Sequence, residues 1–137
     1  MKGERSVITR INPDTLHTSP AFSQVITVSS GARLVFVGGQ NATDANGQIV
    51  GNDIATQSAQ AFRNVLAALE AAGATMDDVI RLAIYIVQGH SIQEGFEAVM
   101  QIPEARLGPP TVTAFYVAGL ARPDALVEIE ALAAVPE

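Results

Sequence analysis

The chain has no cysteine and no tryptophan among its 137 residues. Without cysteine there are no disulfides, no thiolate zinc sites and no thiol nucleophile. Charge is scarce as well: 16% of the residues are Asp, Glu, Lys or Arg, where about a quarter is usual. Basic residues are the scarcest. There are eight, Lys2 is the one lysine, and the net charge is −6. Nucleic-acid binding rests on neutralising phosphates with Lys and Arg, so a nucleic-acid partner is disfavoured. No apolar run is long enough to span a membrane. The first ten residues, MKGERSVITR, lack the apolar core of a signal peptide, and the expected location is the cytoplasm.

What the chain does have is apolar residues, at 48%. Its length suits one domain, residues 1–137, with no internal repeat, low-complexity tract or linker. A monomer needs polar surface to stay apart from its neighbours. A chain short of it, with no membrane span, is expected to bury its apolar excess between copies of itself.

Strand and helix periods alternate along the chain. SVITRI (6–11) alternates and reads as a strand. QVITVSS (24–30) and RLVFVGG (33–39) are β-branched runs separated by Gly31 and Ala32, which suggests a hairpin. Asp53 is placed to cap a helix, and Ile54, Ser58, Ala61, Phe62, Val65, Leu66 and Leu69 form a stripe of period 3.6 that Gly73 closes. A strand follows over about 80–87. A second helix over 91–101 turns Ile92, Phe96 and Val99 inward. After Pro103 and the Pro109-Pro110 pair come strands over 111–117 and 126–133. The order β-β-β-α-β-α-β-β predicts an α+β domain, a mixed sheet with two helices on one face. The other face is then left to a partner subunit.

The last strand sharpens that expectation. In ALVEIEALA, Glu128 and Glu130 sit two apart and share a face, while Val127, Ile129, Ala131 and Ala133 take the other. The glutamates therefore lie on the uncovered side of the sheet. Elsewhere the chemistry-bearing residues read as ordinary surface. His17 and His90 have no third ligand at metal spacing, so no metal is expected. Asp77 and Asp78 are neighbours and do not face one site. Gly38-Gly39-Gln40 lacks the glycine spacing of a phosphate loop. Ser23 and Thr113 have no histidine at a fixed relation, so no hydrolytic triad is supported.

Four stretches together resemble the RidA/YjgF family, small trimeric proteins also called L-PSP endoribonucleases or translation inhibitors. They are PAFSQVITV (20–28), LVFVGGQ (34–40), the long run from Gly47 to Val87, and LVEIEALA (126–133). The resemblance implies a trimer of chorismate-mutase-like α+β subunits that pack their sheets inward, with small-molecule clefts at the subunit boundaries and no cofactor. It implies hydrolysis of reactive enamines and imines released by pyridoxal-phosphate enzymes, to a 2-oxo acid and ammonia. The family's cleft glutamate falls on Glu128. Its Pro-Tyr-Ser-Gln segment falls on Ala21-Phe22-Ser23-Gln24, so Phe22 keeps the ring and loses the hydroxyl. Its carboxylate-binding arginine falls on Val112, next to Thr113, and an asparagine of the second helix falls on Met100. A valine cannot hold a carboxylate, so the chain reads as one of an arginine-lacking subgroup.

The expected activity is that of a RidA-like hydrolase of a small imine, enamine or related C–N substrate. Glu128 handles water and proton. Phe22, Ser23, Gly39, Val112 and Thr113 complete a cleft drawn from two neighbouring chains, with Arg106 as a substitute anion binder from the loop before Pro109. The alternative is a trimer that binds a small apolar or amide-bearing metabolite without turning it over. An endoribonuclease is the third and least favoured reading, for want of basic residues around a base-stacking platform.

Overall fold

The computed structural model describes residues 6–137; residues 1–5, part of the stretch read as lacking a signal-peptide core, lie outside the described residues. Six strands and two α-helices follow in the order expected: β1 (Ile8–Ile11), β2 (Val25–Val28), β3 (Arg33–Gln40), α1 (Ile54–Ala71), β4 (Val79–Val87), α2 (Ile92–Met100), β5 (Thr111–Val117) and β6 (Val127–Val135). Among the described residues, no helix is long and apolar enough to cross a membrane.

One pairing differs from the sequence reading. β2 and β3 do not form a hairpin. β2 pairs antiparallel with β1 in a two-stranded sheet, and β3 joins a four-stranded sheet of order β3-β6-β4-β5. The short Ser29–Ala32 link is therefore a crossing between sheets. Ser29 N–H donates to the carbonyl of Val7 at 2.8 Å, which keeps the chain on the β1 side to the end of the strand. Within the main sheet β3 and β4 run antiparallel to β6, and β4 runs parallel to β5 through a crossover that carries α2. β5 is an edge strand.

α1 starts where its cap says it should. The Asp53 carboxylate accepts from Thr56 N–H at 2.7 Å. That backbone bond is the main reason its carboxyl lies below the usual value of 3.8. The apolar stripe then packs on the sheet. Ile54, Ala61, Phe62, Val65 and Leu69 are buried with Val35, Val37, Leu82, Ile86, Val127, Ile129, Ala131 and Ala133. Each large side chain hidden this way contributes about 1.5–3 kcal/mol.

α2 packs differently. Gly95 is its buried residue, and a Cβ there would press on the Ser58 hydroxyl at 2.7 Å. α2 therefore leans closely on α1. Phe96, expected to point inward, is 42% exposed. The helix period was read correctly, but the face is shared between α1 and a cleft above β5. That cleft lies beside the site.

Candidate functional site

The opposite face of the sheet carries the glutamates. Alternation along β6 buries Val127, Ile129, Ala131 and Ala133 under the helices and leaves Glu128 and Glu130 half-buried on the open side. Their neighbours in register are Tyr85 and Ala83 of β4, and Ala83 is in turn beside Thr113 of β5. Leu34 and Phe36 of β3 stand on this face as well, Phe36 at 76% exposure, and Phe115 at 42%. A large ring left that open, beside other apolar groups, is the mark of a surface that another molecule covers.

Glu128 is held at a break in the β3–β6 ladder. The register shifts between Val37 and Gln40, so Gly38 and Gly39 leave the regular pairing. Glu128 turns back over that gap. A Cβ on Gly39 would collide with its Oε2 and push the carboxylate aside, so glycine serves close approach here rather than an unusual φ. Its other oxygen accepts from Asn41 Nδ2 at 3.3 Å, and the same amide donates to the Val127 carbonyl at 3.0 Å. Asn41 thus ties the carboxylate to its own strand. The sequence reading passed over Asn41; its one signal was an amide directly after a Gly-Gly-Gln strand end.

Glu130 meets the phenol of Tyr85, whose hydroxyl donates to Oε1. The bond to Glu130 is the leading cause that raises the Tyr85 hydroxyl above its usual value of 10.0, with desolvation adding to it. Phe115 packs edge-on against the same ring, centroids 4.9 Å apart. A raised value means that folding favours the neutral phenol. Its contribution to stability is present below about pH 10 and is lost as pH rises through the shifted value. Spectroscopic titration of tyrosinate should show Tyr85 ionising later in the folded protein than in denaturant. Glu130→Gln should bring it back toward 10.0; a Tyr116→Phe background leaves Tyr85 as the one tyrosine.

The remaining expected site residues, Thr113 apart, lie on the helix side. Val112, in register with Leu82, lines a cavity of about 270 Å³ together with Phe22, Met100 and Ala114. Thr113, one residue on, faces the open side. Ser23 is a staple: its hydroxyl donates to the Pro109 carbonyl at 2.6 Å and its N–H to Pro110 at 2.8 Å. Arg10 adds bonds to the carbonyls of Pro109 and Asp77 at 3.2 and 3.1 Å. Together they fasten the small sheet to the start of β5 and bring Phe22 to the Val112 end of the cavity. Arg106 donates twice to the Met100 carbonyl, at 3.1 and 2.8 Å, which occupies its guanidinium at the C-terminal end of α2. No group of three or more His, Asp or Glu able to hold a metal occurs among the described residues.

The residues named from the sequence therefore fall into two groups on opposite faces of one sheet. Glu128, Gly39 and Thr113 are on the open face. Phe22, Val112 and the Met100 end of α2 are on the other. Within one protomer the sheet stands between the two groups.

Known proteins share this arrangement of strands and helices. The family described as Endoribonuclease L-PSP matches residues 13–135. A RutC family protein of Pyrococcus horikoshii is 33% identical over 114 residues, covering 82% of this chain and 85% of its own length. The crystal structure of YyfB from Yersinia pestis, a Rid-family protein of unknown function, is 34% identical with a TM-score of 0.83, and the match covers 94% of this chain and 99% of that one. E. coli TdcF, crystallised with bound serine, is 26% identical with a TM-score of 0.66 over 85% and 94% of the two chains. The chain belongs to the RidA/YjgF family, the group also described as Endoribonuclease L-PSP.

Proposed function

We propose that the protein hydrolyses a small reactive imine or enamine in a cleft between two copies of itself, most simply in a trimer. The observation that carries this reading is Glu128. Its carboxylate is pinned by Asn41 over the Gly39 backbone, on a sheet face whose exposed Phe36 and Leu34 call for a partner. A second copy brings its Phe22–Val112 edge to that carboxylate. The residues of the two faces then form one enclosure.

The chemistry needs little else. An imine carbon is already electrophilic. Glu128 takes a proton from water as the oxygen adds to carbon, and passes it to nitrogen. The resulting amino alcohol collapses to a carbonyl and ammonia. One water is consumed, and no electrons are exchanged with a cofactor. Glu130, engaged by Tyr85, keeps the neighbouring part of the face in place.

A second reading, binding without turnover, draws on the helix-side lining, which holds no charged residue among the described residues. Cleavage of RNA draws no support from a chain of net charge −6 with one lysine. The test is competition. An imine is generated in solution by an amine or amino-acid oxidase in the presence of semicarbazide, and the trapped fraction is measured with and without the protein. Less trapped product and more ammonia are expected. An unchanged trapped fraction across carboxylated and neutral imines would sink the hydrolase reading in favour of binding.

A further inference from the structure

The helix-side cavity is chemically one-sided. Among the nineteen described residues that line it, Ser58 supplies the one hydroxyl; the rest are apolar side chains, Gly95 and Pro110, with no charge. Ser58 is 3% exposed and sits deep, under the crossing of α1 and α2. The outer end is open along the edge strand, where Val112 is 36% exposed. The N-terminus of α2 is tethered to that strand: Ile92 N–H donates to the Tyr116 hydroxyl at 3.3 Å.

Size and lining narrow the occupant. An apolar cavity of about 150 Å³ stays dry and takes up benzene. At about 270 Å³ this one has room for a ring or branched chain and a short polar group. A carboxylate inside it would lose its water without gaining a cation, which is prohibitive. One neutral hydrogen-bonding group, matched by Ser58, is allowed.

We propose that this recess is the specificity pocket of the site, and that it takes a neutral substrate through an aromatic or branched aliphatic group seated between α2 and β5. The proposal rests on the reading of the subunit boundary as the reaction site. It sets the substrate apart from carboxylated imines of the small amino acids and points to imines formed by oxidation of apolar amines. Ala114, on the wall of β5, and Ala105, beyond α2, keep the space open by being small.

The test uses an unreactive probe, so that binding is read without turnover. The assembled wild-type protein is titrated by calorimetry with phenylacetamide, phenylacetate and acetamide. Phenylacetamide is expected to bind, phenylacetate at least tenfold more weakly, and acetamide not at all. Ala114→Phe and, independently, Ala105→Leu fill the recess and are expected to weaken phenylacetamide at least tenfold, with circular dichroism and oligomeric state unchanged. Equal affinity for phenylacetate, binding indifferent to both filling variants, or no binding because a neighbouring copy fills the recess would each overturn the proposal. Turnover of an imine without phenylacetamide binding would overturn it and leave the hydrolase reading standing. Binding without turnover of any imine would do the reverse.

Discussion

Glu128→Gln lowers kcat/KM for imine hydrolysis by about a hundredfold to ten-thousandfold, the usual worth of a positioned general acid–base, and leaves the melting temperature close to that of the wild type. The two halves of that result separate chemistry from structure. The carboxylate is half-buried on the open face, and among the described residues its one side-chain partner is Asn41 at 3.3 Å. A glutamine keeps the shape and still meets the Asn41 amide through its own carbonyl. What it loses is the ability to take a proton from water. Gly39→Ala gives the same loss by another route. Its Cβ would occupy the space of Oε2, so the carboxylate must swing away while its chemical identity is kept. Because Gly39 acts through Glu128, it is a positioning residue. The double variant Gly39→Ala/Glu128→Gln should therefore lose no more activity than Glu128→Gln alone. Full activity in Glu128→Gln would assign the proton to another group.

Val112→Arg changes the preferred substrate. The arginine would stand at the open end of the helix-side recess, where Val112 is 36% exposed. A guanidinium there can grip a carboxylate with two parallel hydrogen bonds. Charge-assisted bonds of this kind contribute about 1.5–3 kcal/mol, so a carboxylated imine such as 2-iminopropionate should gain roughly tenfold to a hundredfold in kcat/KM. Neutral apolar imines should lose ground, because the new charge stands in the doorway of their pocket. Steady-state competition between the two substrate types reads both changes at once. An arginine that leaves the ratio unchanged would mean that Val112 does not face bound substrate.

The sequence carried the architecture through its periods. The stripe from Ile54 to Leu69 fixed α1 and its buried face, and Asp53 fixed its start. The two-residue spacing of Glu128 and Glu130 placed both on the open face, because a strand leaves no other choice. Strand partners were harder. β2 and β3 are adjacent in sequence and both β-branched, yet nothing local records that β2 belongs to β1 and β3 to β6. That choice is made by long-range packing. Phe96 misled for a similar reason: its spacing is that of a core residue, but α2 rests on α1 through Gly95 and leaves the ring beside an open cleft.

The candidate site was legible only in pieces. Glu128, Gly39, Phe22 and Val112 could be named from motifs. Their separation onto two faces of the sheet follows from register, which a single strand does not reveal. Asn41 and Tyr85 were missed because each looks ordinary alone. Asn41 acts through the bulge that brings Glu128 over Gly39, and Tyr85 through its place opposite Glu128 on β4.

The central claim is that one reaction site is assembled from opposite faces of two copies. Subunit mixing tests it most directly. Glu128→Gln disables the open-face half, and Val112→Trp obstructs the helix-side half. The two inactive proteins are unfolded together, reassembled in equal amounts, and assayed by imine trapping. Recovery to roughly a quarter of wild-type activity is expected, the chance that a boundary draws its intact half from each chain. Mixed oligomers that form but stay inactive, beside an active wild type treated in the same way, would contradict it.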